Sequence, residues 1–153
     1  MYTYDSQKAA RVWERVQSGG EPKQPDRAGE LRTLIANEWS IASLCLVLAR
    51  QMPSREAGVL QGLSRECQGQ MGCLKGIHIL MTGENPKVSA PKPEAGTPEQ
   101  MLRRCYGMFM RSLKEYEARV QDPEYGVVFA NLAMQEQTHC RTVLELLGNL
   151  KKG

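Results

Sequence analysis

Phe129-Ala-Asn-Leu132-Ala-Met-Gln-Glu136-Gln-Thr-His139-Cys-Arg-Thr-Val143-Leu-Glu-Leu146 decides how this chain is read. Phe129, Leu132, Glu136, His139, Val143 and Leu146 recur at steps of three and four, so they share one face of a helix. A carboxylate and an imidazole thus stand where a buried stripe calls for Leu or Val. Two other segments repeat the pattern. Leu31, Ile35, Glu38, Ala42, Cys45 and Ala49 form one stripe, and Val59, Leu63, Glu66, Gln70, Cys73 and Ile77 form another. The helix starting at Pro98 carries no such carboxylate.

Punctuation residues bound these helices. Pro53-Ser54, with Ser54 as N-cap, separates a helix over about 26–52 from one ending near Thr82-Gly83. Thr97-Pro98 starts a third long helix, which runs to about Gln121, and Asp122-Pro123 turns it into a fourth that lasts to about Leu150. Two long helices joined by so short a turn lie antiparallel, giving two hairpins. Between them, Glu84 to Thr97 contains Pro86, Pro91, Pro93 and Gly96 and reads as an extended connection. Fourteen extended residues reach roughly 43 Å, and a helix of about 28 residues is roughly 42 Å long, so the connection can cross the whole bundle. A short helix over about 5–17, with Val12, Trp13 and Val16 on its apolar side, precedes Gly19-Gly20 and a Pro-containing linker. The organisation is one all-α domain: N-terminal helix and linker over 1–24, then a four-helix bundle over 25–153.

A shift of 70 residues aligns the hairpins, pairing Pro53 with Pro123 and Glu66 with Glu136. Counted from the turns, Glu38, Glu66 and Glu136 reach a similar depth, about 20 Å from the hairpin ends. Burying ionised carboxylates without partners costs several kcal/mol each, so a bound cation or a shared proton is the economical reading. The plainer alternatives are that a carboxylate snorkels to solvent or pairs with Arg65 or Arg32, and that His139 is a satisfied core histidine. Glu136-Gln-Thr-His139 is a Glu-x-x-His pair, which aims an oxygen and a nitrogen at one point from a single helical turn.

The chain resembles the ferritin-like superfamily and, within it, the rubrerythrin-type diiron-binding domains. The resemblance covers roughly 26–150 and rests on Leu31-Arg-Thr-Leu34-Ile35-Ala-Asn-Glu38, on Glu66 followed by Cys73-Leu-Lys-Gly-Ile-His-Ile-Leu-Met-Thr-Gly83, on the crossover, and on Ala133-Met-Gln-Glu136-Gln-Thr-His139. Val12 to Val16 also looks like the leader helix of some members. The resemblance implies a non-haem oxidoreductase acting on oxygen or peroxide, with Glu38, Glu66, Glu136 and His139 as ligands to iron or manganese. In the family each hairpin supplies a Glu and a Glu-x-x-His pair; here Gly69 stands at one histidine position and Met108 at one Glu position. No rubredoxin-type cysteine pair is present, so such chemistry would need an external electron donor.

Composition narrows the rest. The 153 residues are 41% hydrophobic and 24% charged, with a formal charge of +3 and only two histidines, His78 and His139. An imidazole-rich metal site is excluded, and without a basic block nucleic acid is not an expected partner. No signal peptide or membrane span is evident, so a cytoplasmic protein with reduced, mostly buried cysteines is expected. Gly58, Gly62, Gly69, Gly72 and Gly76 line one side of a helix at about 0.8–1 kcal/mol each relative to Ala. Something should approach closely there: the first helix, the crossover, or a second copy in a homodimer. A metal-free structural or interaction bundle using this face is the competing functional reading.

Overall fold

Two turns and one extended connection punctuate the structure, a computed structural model that describes residues 26–152. They separate four helices, α1 Arg27–Ala49, α2 Ser54–Thr82, α3 Pro98–Glu117 and α4 Gly126–Lys152, with no strand among the described residues. The short helix and linker expected over 1–24 lie outside them. Asp26 caps α1 by accepting the Gly29 N–H at 2.9 Å. Between α1 and α2 the cap position falls on Pro53, and Ser54 makes no side-chain cap bond. Ser54 is therefore the first helical residue, not the N-cap its type suggests. Gly83, at φ 77°, closes α2 in the left-handed region.

Thr97 behaves as its sequence position demands. Its hydroxyl accepts the Gln100 N–H at 3.1 Å while Gln100 Oε1 accepts the Thr97 N–H at 3.0 Å, a reciprocal capping box with Pro98 in the first turn. The helix then ends at Glu117, earlier than expected. Asp122 instead organises the turn, its carboxylate accepting the N–H groups of Glu124 and Tyr125, both at 2.9 Å. A Cβ at Gly126 would collide with the Val120 carbonyl oxygen, so this turn needs glycine there.

The hairpins α1–α2 and α3–α4 pack internally, and α1 also lies against α3 and α2 against α4. The extended connection travels along the α1/α3 side. It begins where the Glu84 carbonyl meets His78 Nδ1 at 2.9 Å, and Val88 packs, partly buried, against the apolar cluster that contains Leu31 and Leu74. Pro91 to Glu94 cover Ser40 and Leu44, and Arg104 donates to the Glu94 carbonyl at 2.8 Å. The chain therefore passes from the N-terminal end of α1 towards its C-terminal end before α3 starts.

Burial divides the interior into two apolar clusters. One joins Ile41, Leu44, Cys45 and Leu48 with Leu60, Leu63, Cys67, Met101, Cys105, Phe109, Cys140, Val143 and Leu146; the other joins Leu31, Leu34 and Ile35 with Leu74, Ile77, Leu113, Tyr116, Phe129, Leu132 and Ala133. Each helix crosses from one cluster to the other. All five cysteines are free, and four are buried, Cys73 being exposed. Among the described helices α1 has the length and apolar composition of a membrane span, contrary to the expectation of none. Half of its most apolar stretch is buried inside the bundle and it carries buried Glu38, which is how the central helix of a packed core reads.

Candidate functional site

The crossing between the two clusters is polar on every helix. Glu38 of α1, Gln70 of α2, Ser112 of α3, and Glu136 with His139 of α4 occupy it, each no more than 2% exposed. Helical spacing explains the convergence. On each helix these positions continue the inward stripe between apolar neighbours, so burial of the flanking Leu, Ile and Phe carries the polar groups inside.

His139 is the best-connected member. Its Nδ1 lies 2.8 Å from Glu136 Oε1 and its Nε2 lies 2.8 Å from Glu66 Oε1, while the Phe109 ring packs against the imidazole at 5.0 Å between centroids. Burial opposes a charged imidazole, but Glu136 and Glu66 outweigh it and hold His139 above its ordinary value. Two short contacts to carboxylate oxygens require a proton in each. An imidazolium donating to both sides satisfies that requirement.

Glu38 faces a different partner. Tyr116 donates its phenolic proton to Glu38 Oε2 at 2.5 Å, and the same ring stacks near Phe129 at 6.4 Å. Burial first, and then the neighbouring Glu136, lifts the Glu38 carboxyl to about 8 against the opposing hydrogen bonds from Tyr116 and Cys67. Burial and the same two carboxylates push the Cys67 thiol far up. Cys67 is a neutral donor here, not a nucleophile.

Glu38, Glu136 and His139 come together where the sequence stripes put them. Glu66 does not join them inside. Its side chain is 61% exposed and reaches His139 from the rim. The inward face of α2 is Leu60, Leu63, Cys67, Gln70, Leu74 and Ile77, whereas Val59, Glu66 and Cys73 of the expected stripe are exposed. Both stripes contain positions 63, 70 and 77, and the helix rotates towards the one that buries two more leucines. Arg65 and Arg32 are not partners of the layer; Arg32 instead lies 3.2 Å from His78 Nε2 near the end of α2.

Sequence reasoning missed Tyr116, Ser112 and Cys67. A signal existed for the first two, since Cys105, Phe109, Ser112 and Tyr116 repeat at steps of three and four, and a tyrosine on a buried stripe needs a hydroxyl partner.

Five buried side-chain atoms among the described residues have no hydrogen-bond partner: Glu38 Oε1, Glu136 Oε2, both amide atoms of Gln70, and Ser112 Oγ. They come one residue per helix and all belong to this layer. Native interiors leave few such atoms, and a cluster of them marks a place that water or an ion completes. As they stand, no three carboxylate, imidazole or thiol side chains among the described residues converge closely enough to hold a metal ion. His139 commits both ring nitrogens to carboxylates instead.

No family model, curated protein or solved structure matches the chain.

Proposed function

We propose that this protein is a ferritin-like bundle of rubrerythrin type whose central layer binds one divalent metal ion, iron or manganese, in exchange for protons. The observation that carries the reading is the set of unpartnered buried atoms, one residue from each helix, sandwiched between two apolar clusters. Glu38, Glu136 and His139 would hold the ion, with Glu66 at the rim and Gln70 as a neutral oxygen donor. Carboxylates with one imidazole suit iron or manganese better than softer metals. Gly69 and Met108, at positions where the resemblance calls for two further ligands, favour one ion over two.

Such an ion would supply a redox-active Lewis acid for oxygen or peroxide, with electrons from an external donor. The chain's own residues set the conditions. Tyr116 orients Glu38 through its hydroxyl, and Phe109 shields one face of the imidazole. Glu66, His139 and Glu136 form a continuous line of short contacts from an exposed carboxylate to a fully buried one. Along it a proton held at His139 can leave through Glu66 Oε1 when a cation arrives. Binding therefore competes with protons and strengthens as pH rises.

A second reading is favoured by the way His139 and Tyr116 already find partners: a metal-free bundle whose layer is held by shared protons and whose role is structural. Metal analysis of protein purified without chelator, followed by anaerobic Fe(II) titration, separates the two. Near-stoichiometric binding that is lost in Glu136→Ala is expected. Negligible metal as purified, with no uptake on titration, would leave the metal-free reading.

A further inference from the structure

Cys45 of α1 and Cys105 of α3 meet in the bundle interior, their sulfurs 3.5 Å apart and both side chains fully buried. They come from different hairpins and lie 60 residues apart in the chain, so the packing of α1 on α3 is what brings them together. A cysteine that only fills space behaves as a small hydrophobe and needs no sulfur partner. Here each thiol has the other within hydrogen-bonding reach, one as weak donor and one as weak acceptor. Bonded disulfide sulfurs stand about 2 Å apart, so roughly 1.5 Å remains to be closed, a movement shared between rotation about the two Cα–Cβ bonds and a slight approach of α1 to α3. Cys105 first, and burial after it, holds the Cys45 thiol well above its ordinary value. The pair is thereby kept reduced and reacts slowly, but the thiolate fraction sets the rate of oxidation and not its end point.

A small oxidant has a route to the pair. A groove of about 330 Å³ between α1, α3 and the crossover is lined by Ser40, Leu44, Pro91, Pro93, Arg104 and Met108. Leu44 and Arg104 are the chain neighbours of the two cysteines, so the groove reaches the same α1/α3 seam from outside. Arg104 also fastens the crossover there through its bond to the Glu94 carbonyl. Hydrogen peroxide, little larger than water, fits such a space.

We infer that Cys45 and Cys105 form a redox pair, which hydrogen peroxide converts reversibly into a disulfide joining the two hairpins. One sulfur attacks a peroxide oxygen: an S–O bond forms, the O–O bond breaks, and the thiol proton leaves with the displaced oxygen as water, giving a sulfenic acid. The second sulfur then attacks the first. An S–S bond forms, the S–O bond breaks, and the second thiol proton leaves with the hydroxyl as a second water. The dithiol loses two electrons and the peroxide gains them; a thiol reductant reverses the change by exchange. The bond would fix α1 against α3 two helical turns, about 10 Å, from Glu38 on the one helix and from Ser112 on the other. It uses no residue of the polar layer, so it holds whether or not that layer takes up an ion.

Full-length Cys73→Ser removes the exposed thiol and with it cross-linking between molecules. Treated while folded with hydrogen peroxide, with chelator present throughout, this protein should lose the mass of two hydrogens and yield a linked peptide pair that holds Cys45 and Cys105. Dithiothreitol should restore both thiols. The linked form should melt about 5–15 °C above the reduced form, as expected for a cross-link that closes so long a loop. Cys45→Ala and Cys105→Ala should each abolish the link while Cys67→Ala keeps it. Peptide mapping of the Cys73→Ser protein needs no core variant and decides the matter even where an alanine variant does not fold. No link, a link between another pair of cysteines, or a link that forms only in denaturant would overturn the inference. A linked form that melts no higher than the reduced one would overturn the role of the bond as a tie between hairpins.

Discussion

A carboxyl that titrates near 8 inside a helical core works against the fold at every pH above its unfolded value. For Glu38 that window runs from 4.5 to about 8. The folded state binds the extra proton throughout, so stability falls as pH rises across it, by an amount on the order of a few kcal/mol. His139 acts with the same sign. Its folded value is raised, so the stability it contributes is present below 6.5 and is lost as pH climbs through the raised value. We expect urea midpoints of metal-free protein to decrease steadily from acid to mildly alkaline pH, and Glu38→Gln to flatten that slope. A bound divalent ion should reverse it, since the ligands are held deprotonated. Tyr116→Phe tests the partner. Removing the donor to Glu38 Oε2 should cost about 1–3 kcal/mol, more on the alkaline side where the bond is charge-assisted, as read from unfolding curves at two pH values.

Helices differed in how much of their orientation could be read from sequence. The inward stripes of α1 and α4 were legible because the steps of three and four that carry Glu38, Glu136 and His139 run through large apolar residues, even though Trp39, Leu46, Met134 and Leu144 leave the outer sides partly apolar. Thr97 and Pro98 marked the start of α3 through chemistry that few other positions accept, and Thr97→Ala should lower stability by about 1 kcal/mol. For α2 the stripes through Val59 and through Leu60 have the same spacing, and on the outer side the glycine stripe leaves Arg65 as a single charge to set against them. Glu66 was therefore assigned to the interior, whereas Ser64, Cys67 and Gln70 are the buried polar residues of that region. The orientation of α2 comes from packing, which needs the partner helices to be known. Gly58 tests the other side of the same helix. It has open space around a would-be Cβ, and in full-length protein Gly58→Ala should raise stability by about 0.8–1 kcal/mol in thermal unfolding.

Across the whole molecule, the polar layer separates two cores that would otherwise be continuous. Leu, Ile and Phe on both sides could close over it, yet Glu38, Gln70, Ser112 and Glu136 hold unpartnered atoms in the gap. A fold selected for stability alone has no use for this arrangement, because replacing buried polar groups by apolar ones of similar volume is often neutral or stabilising by about 1–4 kcal/mol. That contrast gives a test that the single variants cannot. Removing both members of one contact, in Glu38→Met with Tyr116→Phe, eliminates a buried carboxyl and its donor together and joins apolar surface across α1 and α3. If the layer is held by protons alone, the double variant should be at least as stable as the parent near neutral pH, and more stable than Tyr116→Phe. If purified protein carries an ion that Glu38 helps to hold, the double variant should instead be less stable, with the deficit vanishing once both proteins are stripped by chelator. The difference between chelated and unchelated double-variant cycles therefore measures how far the layer serves the ion and how far it serves the fold.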